Sequence, residues 1–173
     1  ALFKDGSGRL TLSGSSNYSG VTNLYAGIIN IQGNNALGSA AGATIVSLGA
    51  AVEVQGNITS PEPFTVSGTG VAATPGVLRN VSGTNAITGL VTATSDVRFA
   101  SDAGSLALSG GVTGTNVNLT VSGVGALSLG NLSLGTGGIT KNDIGVLSLV
   151  GAGSFSGPIV VNAGTLSVRN NTG

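Results

Sequence analysis

One short pattern recurs along this chain at a nearly constant spacing, and it limits the possible folds more than any other feature. Gly-x-Leu-x-Leu, with Ile or Val allowed, occurs at Gly8-Leu10-Leu12, Gly27-Ile29-Ile31, Gly104-Leu106-Leu108, Gly125-Leu127-Leu129, Gly145-Leu147-Leu149 and Gly164-Leu166-Val168. Its first apolar position steps from Leu10 to Ile29 and, after a gap, by nearly equal strides from Leu106 through Leu127 and Leu147 to Leu166. Within the gap, Val52/Val54 and Val77/Leu78 read as degenerate copies at longer steps. Those longer steps contain Pro61-Glu62-Pro63 and Thr74-Pro75-Gly76, which read as loops bulging from the repeat. The spacing predicts about eight units of roughly 20 residues each.

Each unit alternates apolar and polar residues, as in Val117-Asn118-Leu119-Thr120-Val121, the period of half-buried strands. No helical stripe competes with it, and the chain has only two Lys, two Glu and two Gln to favour one. A helix-free unit of this size cannot bury its own apolar face, whereas stacked units bury it against each other. The expected fold is all-β: a β-solenoid of about eight coils, its equivalent strands paired in parallel about 4.8 Å apart. Leu, Ile and Val then stack inward in columns, Thr, Ser and Asn face outward, and Gly turns the corners where a positive φ is needed. Gly, Ser, Thr and Asn make up 85 of the 173 residues, a share often met in disordered chains. Disorder, however, pairs low hydrophobicity with high net charge, and this chain is 40% hydrophobic with a net charge of zero. No apolar run approaches the ~18 residues of a membrane helix. A chain opening on Ala1 reads as a segment of a longer one.

The two ends match without gaps when Lys4 is laid on Lys141. Lys4, Gly8, Leu10, Leu12, Gly14, Ser19, Gly20, Ala26, Gly27 and Asn34 then meet Lys141, Gly145, Leu147, Leu149, Gly151, Ser156, Gly157, Ala163, Gly164 and Asn171, and Tyr18 meets Phe155. The shared text is Lys-x-x-x-Gly-x-Leu-x-Leu-x-Gly, then Tyr/Phe-Ser-Gly, then Ala-Gly-x-Leu/Ile-x-Val/Ile. It resembles the autotransporter-associated β-strand repeat, also called the passenger-associated transport repeat, of secreted passengers and large bacterial surface proteins. Asn35-Ala36-Leu37-Gly38 fits the same pattern. Ile144 before Gly145 and Pro158 after Gly157 depart from it. The resemblance implies a right-handed parallel β-helix exported to the outside of a bacterium, extracellular or on the outer-membrane surface. Residues 1–173 then form a single solenoid segment, with repeat copies at 1–38 and 139–173 and degenerate, looped coils at 39–138. The translocating barrel is not expected here, because the six aromatics lack the spacing of its girdles.

Composition removes most chemistry. With no His and no Cys there is no Ser–His–Asp or Cys–His triad and no zinc site of the usual kind. Six scattered basic residues balanced by six acids leave no footprint for nucleic acid. The acids are Asp5, Glu53, Glu62, Asp96, Asp102 and Asp143. Asp5 and Asp143 fall at corners about six coils apart. Glu53, between Val52 and Val54, reads as an outward side chain. Asp96, Arg98 and Asp102 form the one local cluster, an exposed ion pair or a ligand or ion site. Lys4 and Lys141 recur in phase and read as corner lysines that cap carbonyls or discourage lateral pairing, and Tyr18 and Phe155 as aromatics packed over corners. Six Asn-x-Ser/Thr sequons, at Asn17, Asn57, Asn80, Asn118, Asn131 and Asn170, follow from composition alone.

The expected function is that of a non-enzymatic extracellular stalk, fibre or adhesin passenger segment, without cofactor or metal. Its expected partners are neighbouring solenoid segments stacked end to end, and surface glycans or host surfaces, with no nucleic acid and no membrane insertion by this segment. The alternative is a carbohydrate-binding or carbohydrate-active β-helix, with its site near Asp96–Asp102 or in the loops from Pro61 to Gly76.

Overall fold

A computed structural model describes residues 1–169. Among the described residues every regular element is a strand, and every pairing but one is parallel. The strands stack in three walls. The first runs through Leu2–Lys4, Thr22–Leu24, Thr44–Val46, Phe64–Gly68, the start of Val91–Ser101, Val112–Gly114, Leu132–Gly135 and Gly153–Phe155. The second runs through Arg9–Leu12, Gly27–Ile31, Ala50–Gln55, Leu78–Ser82, the end of Val91–Ser101, Leu119–Ser122, Ile139–Lys141 and Ile159–Val161. The third is shorter: Thr59–Ser60, Thr84–Ile87, Ser105–Leu108, Ala126–Leu129, Val146–Leu149 and Thr165–Val168. The fold is a parallel β-solenoid of about eight turns.

Successive register partners on the first wall run from Leu2 through Thr22, Thr44, Phe64, Val91, Val112 and Leu132 to Gly153. Their steps keep close to the period of the repeat, except that from Phe64 to Val91, which is plainly longer. Among the described residues only this long coil carries an insertion, the antiparallel hairpin Gly70–Val71/Thr74–Pro75. Pro61-Glu62-Pro63, expected to bulge, instead forms a corner: Glu62 is buried, and the Pro63 carbonyl accepts the Thr44 N–H at 2.9 Å.

The six repeat motifs do not share one wall. Those at Leu10 and Ile29 lie on the second, and those at Leu106, Leu127, Leu147 and Leu166 on the third. The first two coils have no third-wall strand, because residues 13–21 and 32–43 close them as turns. The motif therefore specifies a glycine corner followed by an alternating strand, and the wall depends on how many strands precede it. Gly27 shows why the corner excludes a side chain. Its φ is +74°, and an added Cβ would sit 2.5 Å from the Gly6 carbonyl oxygen and 2.9 Å from Lys4 Nζ.

The core is a set of continuous columns. One passes through Leu10, Ile29, Val52, Leu78, Phe99 and Val121 in unbroken succession of register, and Ile29 to Val121 are buried. Burying each such side chain contributes about 1.5–3 kcal/mol, and the parallel ladder satisfies the backbone along the stack. A second column ends in polar groups: Asn80 Nδ2 donates to Ser101 Oγ at 3.1 Å and to the Ala103 carbonyl at 2.8 Å, and Asn85 Nδ2 donates to Asn80 Oδ1 at 2.6 Å. Asn80 thus bonds one coil to the next, and Asn85 ties the second and third walls together within its own coil.

Candidate functional site

Strand alternation turns Glu53, Arg79 and Arg98 to the outside of the second wall, since their neighbours Val52, Val54, Leu78, Val97 and Phe99 face the core. Glu53 departs from its expected setting. It points outward, yet it is fully buried. Arg9 Nη2 donates to its Oε1 at 3.1 Å, Arg79 Nη1 to the same oxygen at 2.8 Å, and Asn30 Nδ2 to Oε2 at 3.2 Å. The three donors come from three other coils, and the inserted hairpin packs against Ala50–Gln55 on this face. A carboxylate held by two guanidiniums and an amide compensates its desolvation.

The hairpin makes the site. Its neck closes where Gly76 N–H donates to the Thr69 carbonyl at 2.7 Å, and Gly76 lies so near the wall that a Cβ there would be 2.8 Å from Ala100 Cβ. Between hairpin and wall runs a cleft of about 220 Å³, bordered by Thr74, Pro75, Arg79, Arg98, Asp102 and Asp143. Arg79 spans Glu53 and Asp102, its Nη2 pairing with Asp102 Oδ2. Asp143 Oδ2 accepts the Gly123 N–H at 2.8 Å. The Arg98 guanidinium has no ion-pair or hydrogen-bond partner among the described residues, and its Nε is buried, as is the unpartnered Thr74 Oγ1.

Of the three residues singled out by local spacing, Arg98 and Asp102 border this cleft and Asp96 does not. Asp96 sits at the corner between the first two walls and caps the next coil, accepting the Asn118 N–H at 2.7 Å and its Nδ2 at 3.1 Å. Asp102 pairs with Arg79 across one coil. Thr74 falls in the Pro61 to Gly76 loops that the sequence offers as an alternative location, whereas Arg79 and Asp143 are missed as members of this site. The partner of Asp102 lies a full coil back along the chain, where local spacing does not reach. Among the described residues no three Asp or Glu side chains converge as metal ligands would.

The recurrent residues serve the corners. Lys4 Nζ donates to the carbonyls of Asp5, Gly6 and Ala26 at 2.9, 2.6 and 3.1 Å, joining two coils. Lys141 Nζ donates to the Asp143 carbonyl; burial pushes its pKa below the ordinary lysine value, against the opposing pull of the Asp143 charge. Tyr18 packs beneath Gly38, where a Cβ would meet its ring at 3.0 Å, and its hydroxyl lies 2.7 Å from Thr22 Oγ1. Phe155 packs against the core. Asn170 and Asn171 lie outside the described residues. Glu62 is a second buried acid. Thr44 Oγ1 donates to its Oε1 at 2.7 Å, but burial dominates and raises its pKa to about 7.

Comparison with known proteins agrees with the geometry. The passenger-associated-transport-repeat family matches residues 2–31 and 139–168. Over 46 residues, 27% of the chain, the sequence is 48% identical to the adhesin BmaC autotransporter of Brucella suis biovar 1 (strain 1330). That match spans about 1% of the adhesin's length. No solved structure matches the chain.

Proposed function

We propose that this autotransporter-associated repeat protein is a non-enzymatic segment of a surface-exposed or secreted adhesin passenger, acting as a stiff spacer that stacks end to end on further coils. Two passenger-associated transport repeats on one parallel solenoid support the passenger reading. The match to a named autotransporter adhesin supports the same class. Mechanically, each coil adds a layer of parallel backbone hydrogen bonds and a layer of apolar side chains, so length grows without new interactions having to be invented.

The observation that carries the stacking is the last described coil. Ile159 and Val161 continue the inward columns through Ile139 and Lys141, yet they are 41% and 43% exposed. Leu132, Leu149, Phe155, Ile159 and Val168 line an open apolar depression there. A further coil, from a longer chain or a second copy, would cover it and extend all three walls.

Electron microscopy of the purified chain over a concentration series tests this. Rods longer than one subunit, lengthening with concentration and showing the coil spacing of about 4.8 Å, are the expected result. Discrete single particles at every concentration would overturn end-to-end stacking.

A further inference from the structure

We propose that the cleft beneath the inserted hairpin is a binding site for a single carboxylate-bearing sugar residue, a uronate, whose carboxylate pairs with Arg98. Around the cleft, Arg79 is held between Glu53 and Asp102, and Glu53 also holds Arg9. Arg98 alone among these has no partner within the described residues, although its Nε is shielded from solvent. A guanidinium offers five donors in a planar fork and matches a carboxylate with two parallel bonds. An unpaired, partly desolvated guanidinium is therefore an acceptor-seeking group, and a carboxylate ligand satisfies it.

The rest of the lining selects among anions. Asp102 and Asp143 face the same cleft, each with carboxylate lone pairs beyond the bonds that Arg79 and Gly123 supply. Two carboxylates oppose a multiply charged oxyanion such as phosphate more strongly than a single carboxylate, and they accept hydrogen bonds from hydroxyls. Thr74 Oγ1, buried without a partner, adds a group able to donate or accept. One cation, two acceptors and one hydroxyl suit a singly charged, polyhydroxylated ligand. About 220 Å³ falls below the range of pockets for drug-sized ligands and fits one sugar unit. The lining draws on residues from four successive coils, so the ligand lies along the wall of the rod, leaving its ends free. The site thus stands apart from stacking: a rod that binds no uronate still stacks.

Calorimetric titration of the full chain with galacturonate tests the site, with the neutral monosaccharide galactose and inorganic phosphate as comparison probes. Galacturonate is expected to bind, the neutral sugar at least tenfold more weakly, and phosphate more weakly still. Arg98→Gln is expected to reduce galacturonate affinity at least tenfold with an unchanged circular dichroism spectrum, whereas Asp96→Asn, outside the cleft, leaves affinity unchanged. Should Arg98→Gln fail to fold, Arg98→Lys retains the charge without the fork and is expected to bind several-fold more weakly, as is Thr74→Val. No heat with galacturonate at tens of millimolar, or wild-type affinity in both Arg98→Lys and Thr74→Val, would overturn the proposal. Phosphate binding as tightly as galacturonate would overturn the sugar assignment.

Discussion

The coils of the two repeat copies and the coils between them share one backbone but use charge in opposite ways. In the copies, Lys4 and Lys141 commit their ammonium groups to corner carbonyls. The intervening coils bury Glu53 and Glu62 and leave the Arg98 side chain without a partner among the described residues, beside a cleft. The repeated sequence specifies scaffold: glycine corner, alternating strand, corner lysine. Once the inward columns are continuous, the outer wall is free to carry what one particular coil requires. Individual function in a solenoid of this kind is therefore to be sought where the repeat degenerates and an insertion roofs a wall.

The largest effect that separates the two regions is expected at Glu53. Its side chain has no exposure, and Arg79, its nearer partner, is 18% exposed. Glu53→Ala removes the shared anion and leaves two guanidiniums and an amide facing each other, a loss of about 3 kcal/mol, the lower end of the scale of broken buried ion pairs because Arg9 is 47% exposed and Arg79 keeps Asp102. Thr11 occupies the same outward row in the first repeat copy, through the register Thr11, Asn30, Glu53. It is exposed, and Thr11→Ala is expected to change stability by no more than about 0.5 kcal/mol. Urea unfolding of both variants measures the contrast. Equal losses would mean that the outer row matters for its strand position and not for its charge.

Glu62 sharpens the comparison through pH. Its folded-state pKa of about 7 stands above the ordinary 4.5 because burial penalises the carboxylate. The protonated form therefore favours the folded state. That contribution is fully present below pH 4.5 and is lost as pH rises through about 7. The shift corresponds to about 3 kcal/mol at most, less whatever solvent screening reaches the carboxyl. Stability is expected to fall between pH 5 and 8 in the wild-type chain and to stay flatter in Glu62→Gln, which becomes the more stable of the two at pH 8. Parallel pH profiles for the two proteins would show that Glu62 is solvated in the folded chain.

Much of this architecture is legible in the sequence, because stacking follows rules of local period. Alternation marks the strands, glycine marks the corners, and Val52 does pair with Leu78 as the degenerate copies imply. The phase of Lys4 likewise points to a corner. What escapes is whatever depends on the neighbouring coil. Asp102 follows closely on Arg98 in sequence but pairs with Arg79, and Glu53 draws Arg9 from 44 residues away. Between coils the contact partner sits one full period off, and the period itself is longer from Phe64 to Val91 than from Leu2 to Thr22. The wall occupied by each motif escapes for a related reason. Residues 13–21 and 32–43 close a coil without a strand, and nothing in their Ser, Asn and Gly content distinguishes that from a short strand pair.

The smallest expected effect lies within the copies themselves and asks whether the two corner lysines are equivalent. Lys4 is half-buried and serves three carbonyls from two coils, while Lys141 is almost completely buried and donates to the Asp143 carbonyl. Burial that lowers the Lys141 pKa also opposes its ammonium, so part of that hydrogen bond is offset by desolvation. Lys4→Met forfeits charge-assisted bonds whose carbonyls water regains only in part, at a cost of about 1 kcal/mol. Lys141→Met loses a bond but also removes a desolvated charge and fills the same space with methylenes, so its cost is expected to be smaller. Thermal unfolding of the pair at pH 7 decides the order. A larger loss at Lys141 would mean that the buried ammonium anchors its corner despite desolvation, and that the copies grow less alike in energy as their coils become more deeply covered.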